Sequence, residues 1–258
     1  MTQLIKGDCL ELMQFLNDKS IDMILCDLPY GTTACKWDST LPFNKLWEQY
    51  ERIIKPNGAI VLTASQPFTT SLIMSNIKNY KYNWVWVKNT ASGIAQAKYS
   101  PMRYNEDVCI FYKSLPTYNA QFIERTEGSK KRCKTPITNG GNGEHIKLVK
   151  TLTQYNSNFK NPSNVIYFNT DPNSKGKLHP TQKPVALFEY LIKTYTNEGD
   201  MVLDNCMGSG TTGVACQNLN RSFIGIEKDE IYFNVAQKRI LDNQQIIDGF
   251  DFENESQH

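Results

Sequence analysis

Short apolar runs recur along this chain, separated by stretches whose apolar residues repeat at helical spacing. Ile21-Asp22-Met23-Ile24-Leu25-Cys26 holds the first such run, at 22–26, and others lie at 59–64, 83–87, 108–112, 201–203 and 223–226. They are short and mostly apolar with little polar alternation, which predicts strands buried on both faces, as in a parallel sheet. Between them, helical periodicity predicts helices over about 42–54, 67–77, 184–195, 211–219 and 230–241. Pro42 suits a first helical turn and Asn57-Gly58 supplies a stop, so the first of these helices is the best bracketed. Strands alternating with helices predict an α/β fold, a mainly parallel sheet with helices on both faces.

The pattern breaks between positions 113 and 177. Apolar periodicity fades there, Asn, Thr, Ser, Gly and Pro dominate, and Thr138-Asn139-Gly140-Gly141-Asn142-Gly143 reads as loop. This stretch holds eleven Lys and Arg against four Asp and Glu, while the whole chain carries only +2, so the remainder is net acidic. Lys130, Lys131, Arg132 and Lys134 form its densest basic cluster, and Tyr118, Phe122, Tyr155, Phe159 and Tyr167 are interleaved with the charges. Basic residues with aromatic spacing suit a surface that follows nucleic-acid phosphates, and Asn and Gln side chains can read base edges. A solvated loop whose lysines aid solubility is the alternative.

At 258 residues, 40% hydrophobic and 21% charged, the chain is long enough to bury a full core, and one main domain with an insertion is the simplest organisation. Its seven cysteines are scattered and never spaced as Cys-x-x-Cys, which argues against a disulfide framework or a zinc ribbon. The three histidines lie far apart without acidic or Cys partners at ligand spacing, so no metal is expected. No segment reads as a signal-peptide core or a bilayer span, and a cytoplasmic location away from membranes is expected.

The last third of the chain carries a nucleotide-site pattern. Met201-Val202-Leu203 leads into Asp204, and Asn205-Cys206-Met207-Gly208-Ser209-Gly210-Thr211 then opens a helix, giving a strand, a glycine turn and a helix in succession. Glycine lets the backbone approach a ligand closely. About twenty residues on, the next strand ends at Glu227, where an acid can accept hydrogen bonds from two ribose hydroxyls. Asp204 would repel a pyrophosphate but attract the ammonium of an amino-acid moiety, which points to S-adenosylmethionine; a turn or capping role is its alternative. Lys183, in His179-Pro180-Thr181-Gln182-Lys183-Pro184 just before a helix, is the candidate for that cofactor's carboxylate, unless it is simply solvated.

The first strand ends in Asp27-Leu28-Pro29-Tyr30. An exocyclic base amine is a poor nucleophile because its lone pair is delocalised into the ring, and a carboxylate accepting one N–H favours the electron-rich, pyramidal form. Asp27 can supply that acceptor, the Leu28 carbonyl can take the second N–H, Pro29 would stiffen the turn and Tyr30 would offer a stacking face. Catalysis of this kind is positional and electrostatic.

These residues resemble the amino-methylating DNA methyltransferases, whose D/N/S-P-P-Y/F/W tetrapeptide matches 27–30 and whose glycine motif matches 204–210. The order, tetrapeptide first, basic insert next and glycine motif last, is similar to the beta group of that family, of phage or restriction-modification type. The resemblance also covers Gly7-Asp8, matching an early acid near the donor adenine, the 179–184 segment, and Lys98 to Glu106, matching a segment that shapes the base pocket. It implies a Rossmann-like S-adenosylmethionine-dependent methyltransferase fold, with a seven-stranded, mostly parallel sheet and one antiparallel strand. Residues 1–112 would form the catalytic half, 113–177 a target recognition insert and 178–258 the cofactor-binding half. The implied reaction is methyl transfer to the N6 amine of an adenine flipped out of DNA. N4 of cytosine and a catalytically impaired DNA-binding relative are the alternatives, and a small-molecule or protein methyltransferase is a third. A homodimer is implied by the resemblance alone. Two positions depart from the pattern: Leu28 replaces the first proline, and Cys206 stands where the family has Phe.

Overall fold

The computed structural model describes residues 1–31, 40–133, 158–170 and 182–255. The chain begins with β1 (Thr2–Lys6), α1 (Cys9–Leu12), β2 (Ile21–Cys26), α2 (Phe43–Ile53), β3 (Ile54–Ala64), α3 (Phe68–Ser75), β4 (Tyr80–Ser92) and β5 (Arg103–Phe111). It continues through β6 (Ile123–Glu124), α4 (Glu127–Cys133), β7 (Phe159–Lys160), β8 (Val165–Tyr167) and α5 (Val185–Tyr195). The last elements are β9 (Met201–Asp204), α6 (Thr211–Asn218), β10 (Ser222–Glu227) and α7 (Glu230–Glu255). Two compact units result: one made of 1–119 with 164–258, the other of Ala120–Ser163.

The larger unit is built on one sheet of eight strands in the order β1-β10-β9-β2-β3-β5-β4-β8. Every pairing is parallel except those of β5, which runs antiparallel to both β3 and β4. The sheet thus has one antiparallel strand, as the family resemblance implies, but eight strands where that resemblance implies seven. Both edge strands escaped the apolar pattern. Thr2–Lys6 is largely exposed, and the three-residue Val165–Tyr167 lies inside the polar 113–177 stretch.

The central strands are buried on both faces, so their apolar runs show little polar alternation. In β2, Met23 and Leu25 pack on one side with Leu187, Leu191 and Val214 from α5 and α6, together with Ile240 from α7. Ile24 and Cys26 pack on the other side with Leu46, Tyr50, Phe68 and Leu72 from α2 and α3. Helix α2 ends at Ile53 and β3 begins at once, running through Pro56-Asn57-Gly58. Gly58 is required there, because a Cβ would stand 2.8 Å from the Asp22 carbonyl of the paired strand.

The crossover from β2 passes through α2 to β3, and that from β9 passes through α6 to β10, on the opposite face and in the opposite direction along the sheet. Neighbouring parallel strands whose connections diverge leave a crevice at their carboxyl ends, where α/β sheets bind ligands.

The smaller unit pairs β6 with β7 antiparallel. Arg125 Nε donates to the Phe159 carbonyl at 2.9 Å, and Lys130 on α4 is held at 2.8 Å by both Glu124 and Glu127. No described helix is long and apolar enough to cross a membrane.

Candidate active site

Four acids occupy the carboxyl ends of adjacent strands: Asp8 just beyond β1, Glu227 on β10, Asp204 on β9 and Asp27 just beyond β2. The last two border the crevice. The sequence placed Asp27, Asp204 and Glu227 at strand ends, Asp8 came only from the family resemblance, and strand order brings all four together.

Asp27 is the most elaborately held. Its Oδ1 accepts hydrogen bonds from the Tyr30 hydroxyl at 2.8 Å and from the Thr63 hydroxyl, and its Oδ2 accepts one from Lys183 Nζ at 2.7 Å. About a fifth of the side chain remains exposed, at 21%. Tyr30 stacks on Phe68, with ring centroids 5.0 Å apart at 26°. Burial and the neighbouring Asp27 charge push the Tyr30 phenol well above its ordinary value, so its hydroxyl remains a donor. Leu28 is buried in the core.

Lys183 stands between Asp27 and Glu106 of β5 rather than on the surface. Burial alone would lower its pKa, but the two carboxylates outweigh that and hold the ammonium above its usual range. Burial would likewise raise Glu106, and Lys183 and Lys88 together hold it below the ordinary carboxylate value.

On the other side of the crevice, Gly208 and Gly210 take φ of 51° and 79°, a left-handed backbone that only glycine adopts cheaply. A Cβ on Gly210 would also lie 3.0 Å from Ala236 Cβ on α7. Glu227 closes this turn, its Oε2 accepting from Gly208 N–H at 2.9 Å and its Oε1 from Asp229 N–H at 2.8 Å. Burial raises its pKa. Arg239 of α7 donates to Thr211 Oγ1 at 3.0 Å and to the Ser209 carbonyl at 3.2 Å, and Ser209 Oγ donates to Gln182 Oε1 at 3.3 Å. Asp8 caps α1 through Leu10 N–H and pairs with Lys228 at 3.0 Å.

Asp204 faces inward. It is 2% exposed; Oδ1 accepts from the Cys206 N–H at 3.1 Å and Oδ2 from the Thr212 hydroxyl. Burial pushes its carboxyl up to about 7. Cys206 adjoins the Cys9 and Cys26 thiols, and Asn205 accepts from the buried Tyr50 hydroxyl at 2.5 Å.

The structure therefore gathers Asp27, Leu28, Tyr30 and Lys183 on one side, and Asp204, Cys206, Gly208, Ser209, Gly210, Thr211 and Glu227 on the other. Sequence reasoning missed Thr63, Lys88 and Arg239. Thr63 had a signal, a hydroxyl near the end of the otherwise apolar 59–64 run, whereas Lys88 and Arg239 had none. Lys131 and Arg132 lie on α4; Lys134 and His179 lie outside the described residues.

A family model described as DNA methylase matches residues 21–238. The Type II methyltransferase M.HpaI of Haemophilus parainfluenzae is 31% identical over 270 residues, covering 96% of this chain and 76% of that protein. M2.LlaDCHI of Lactococcus lactis subsp. cremoris is 26% identical, covering 92% and 88%. Among solved structures, an M1.HpyAVI complex with S-adenosylmethionine superposes with a TM-score of 0.60 at 27% identity, covering 93% of this chain and all of that one. The cytosine-N4-specific PvuII DNA methyltransferase shares the fold, with a TM-score of 0.66 at 17% identity over 96% and 90% of the two chains.

Proposed function

The chain belongs to the DNA methylase family of N6 and N4 amino-methyltransferases, and we propose that within it the protein methylates the N6 amine of adenine in DNA. Asp27 carries this reading: its carboxylate stands at the end of β2, partly exposed and fixed by Tyr30 and Thr63, beside the crevice that the glycine turn borders. Held in this way, it accepts one N–H of the target amine without having to reorganise. The Leu28 carbonyl takes the other N–H. Tyr30 is braced by Phe68 and aims its hydroxyl at Asp27, so the tetrapeptide keeps its shape when the base arrives.

The family depends on S-adenosylmethionine, and the residues here suit it: a left-handed glycine turn and a half-buried Glu227 at the end of the next strand. When bound, that cofactor supplies a methyl group already activated on a sulfonium. In this reading Glu227 receives the ribose hydroxyls, Asp8 lies toward the adenine, and Gly208, Ser209, Gly210 and Thr211 shape the crevice. Asp204 and Cys206 act through the loop that they anchor. Lys183 lies between the two halves of the site and is engaged with Asp27, so its part is with the acceptor side.

The basic stretch 113–177, with Lys130, Lys131, Arg132 and Lys134, serves as target recognition region, its charge complementary to phosphate. The choice of adenine rests on the acid at position 27, which the family resemblance links with adenine more than with cytosine. N4 of cytosine is the second reading, since an enzyme specific for that amine shares this fold. Methylating plasmid DNA with a labelled donor, digesting it to nucleosides and identifying the labelled base tests the proposal. Label in N6-methyl-2′-deoxyadenosine supports it, and label only in N4-methyl-2′-deoxycytidine overturns it.

A further inference from the structure

Behind the tetrapeptide, four charged side chains alternate in sign: Lys88, Glu106, Lys183 and Asp27. Lys88 Nζ lies 2.9 Å from Glu106 Oε1, Lys183 Nζ 3.4 Å from Glu106 Oε2, and Lys183 Nζ 2.7 Å from Asp27 Oδ2. Both lysines are nearly sealed, at 6% and 7% exposed. Among the described residues two buried side-chain atoms lack a hydrogen-bond partner, Asn83 Oδ1 and one oxygen of this charged row. Glu106 Oε2 is buried and accepts no hydrogen bond, because Lys183 is near enough to attract it but is aimed at Asp27. A buried carboxylate oxygen without a donor is costly, and calls for an explanation in how the site works.

The resting contact also conflicts with the chemistry. Positive charge grows on the target amine as it accepts a methyl group, and an ammonium bonded to its acceptor opposes that charge. Lys183 therefore has to loosen from Asp27 before transfer. We propose that Glu106 is a positioning residue that takes over the Lys183 ammonium when the target amine docks on Asp27. This rests on the reading of Asp27 as the amine acceptor. A movement of about half an ångström at Nζ brings Lys183 to the ~2.8 Å typical of a charge-assisted hydrogen bond. Lys88, on the opposite oxygen, keeps the Glu106 carboxylate from following. The ammonium keeps its proton throughout; only its partner changes.

Steady-state and single-turnover methylation of a DNA substrate tests this in Glu106→Gln, Glu106→Asp, Lys183→Met and the Glu106→Gln/Lys183→Met double variant. Glu106→Gln keeps the shape but removes the charge that draws Lys183 away; its kcat falls about tenfold, while KM for the donor and DNA affinity stay within about twofold. Glu106→Asp retains the charge and recovers part of the loss. The double variant turns over as Lys183→Met does, because no ammonium is left to move. Two results overturn the proposal: a Glu106→Gln kcat within about twofold of wild type, or single effects that multiply in the double variant. Should thermal melts show Lys183→Met unfolded, the carboxyl variants decide alone, and equal impairment of Gln and Asp overturns it. Asp27→Ala is measured alongside. Turnover surviving in that variant removes the underlying reading, whereas its loss combined with an unimpaired Glu106→Gln removes only this inference.

Discussion

Replacing Asp204 with Asn separates the effect of burial from that of shape at the end of β9. The carboxyl is pushed from 3.8 to about 7, chiefly because burial disfavours its charged form. The folded state thus holds this proton more tightly than the unfolded chain. Its contribution to stability is fully present below about pH 4, is lost as pH rises toward 7, and changes little beyond that. At about 1.36 kcal/mol per unit, the whole shift corresponds to about 4 kcal/mol, of which about 2–3 kcal/mol falls between pH 5 and pH 8. Asn preserves the outline: its oxygen can accept from the Cys206 N–H and its amide can donate to Thr212 Oγ1, the two partners that the acid has now. It cannot ionise. Urea unfolding of wild type and Asp204→Asn without cofactor, at several pH values from about 5 to about 8, measures the difference directly. The variant should gain on wild type as pH rises, by about 2–3 kcal/mol across that range. Taking the difference cancels groups common to both proteins, including Glu227, which burial shifts in the same direction. Parallel stability curves would refute the argument and place the Asp204 charge in contact with water or with an unrecognised cation.

Asp27→Ala should abolish methyl transfer, by about a hundredfold or more in kcat, with cofactor affinity by calorimetry nearly unchanged. Gly210→Ala meets both a left-handed φ and Ala236, so a loss of about 2–4 kcal/mol in unfolding free energy and weakened cofactor binding are expected from melts and titrations. Arg239→Ala removes the clip on Ser209 and Thr211, and should raise KM for the cofactor about tenfold while kcat at saturation changes little. DNA affinity should fall steeply with salt, and Lys131→Ala/Lys134→Ala should flatten the slope of log K against log salt; an unchanged slope would remove those lysines from the phosphate contacts.

The sequence revealed most where burial is symmetrical. Strands β2, β3, β9 and β10 have core on both faces, and the runs of β2, β9 and β10 end in Asp27, Asp204 and Glu227, so both strand and acid could be read from the chain. The edge strands β1 and β8 lack that signature, having solvent on one side. Asn57-Gly58 reads as a stop, and the helix does stop, but the same residues lie within β3, where close approach to Asp22 suits glycine. The partners of Asp27 were less accessible. Thr63 and Lys183 lie 36 and 156 residues away, and no local pattern brings them together. Lys183 reads locally as a solvated or anion-binding lysine at a helix start; only the tertiary fold puts it against two carboxylates. Asp204 illustrates the converse, since its position was legible and the inward turn of its carboxyl was not.

The interleaving of the sheet has a bearing on how the protein is made. Among the described residues β1 pairs only with β10, and β2 meets β9 on one side, so β9 and β10 slot between β1 and β2. Until β9 and β10 have left the ribosome, the nascent chain holds a gap between β1 and β2. Pairings between strands so far apart in sequence close slowly. A chain interrupted before Met201 is therefore left with exposed edges rather than a smaller closed sheet, and the two sides of the crevice come into being together only when β9 and β10 slot in.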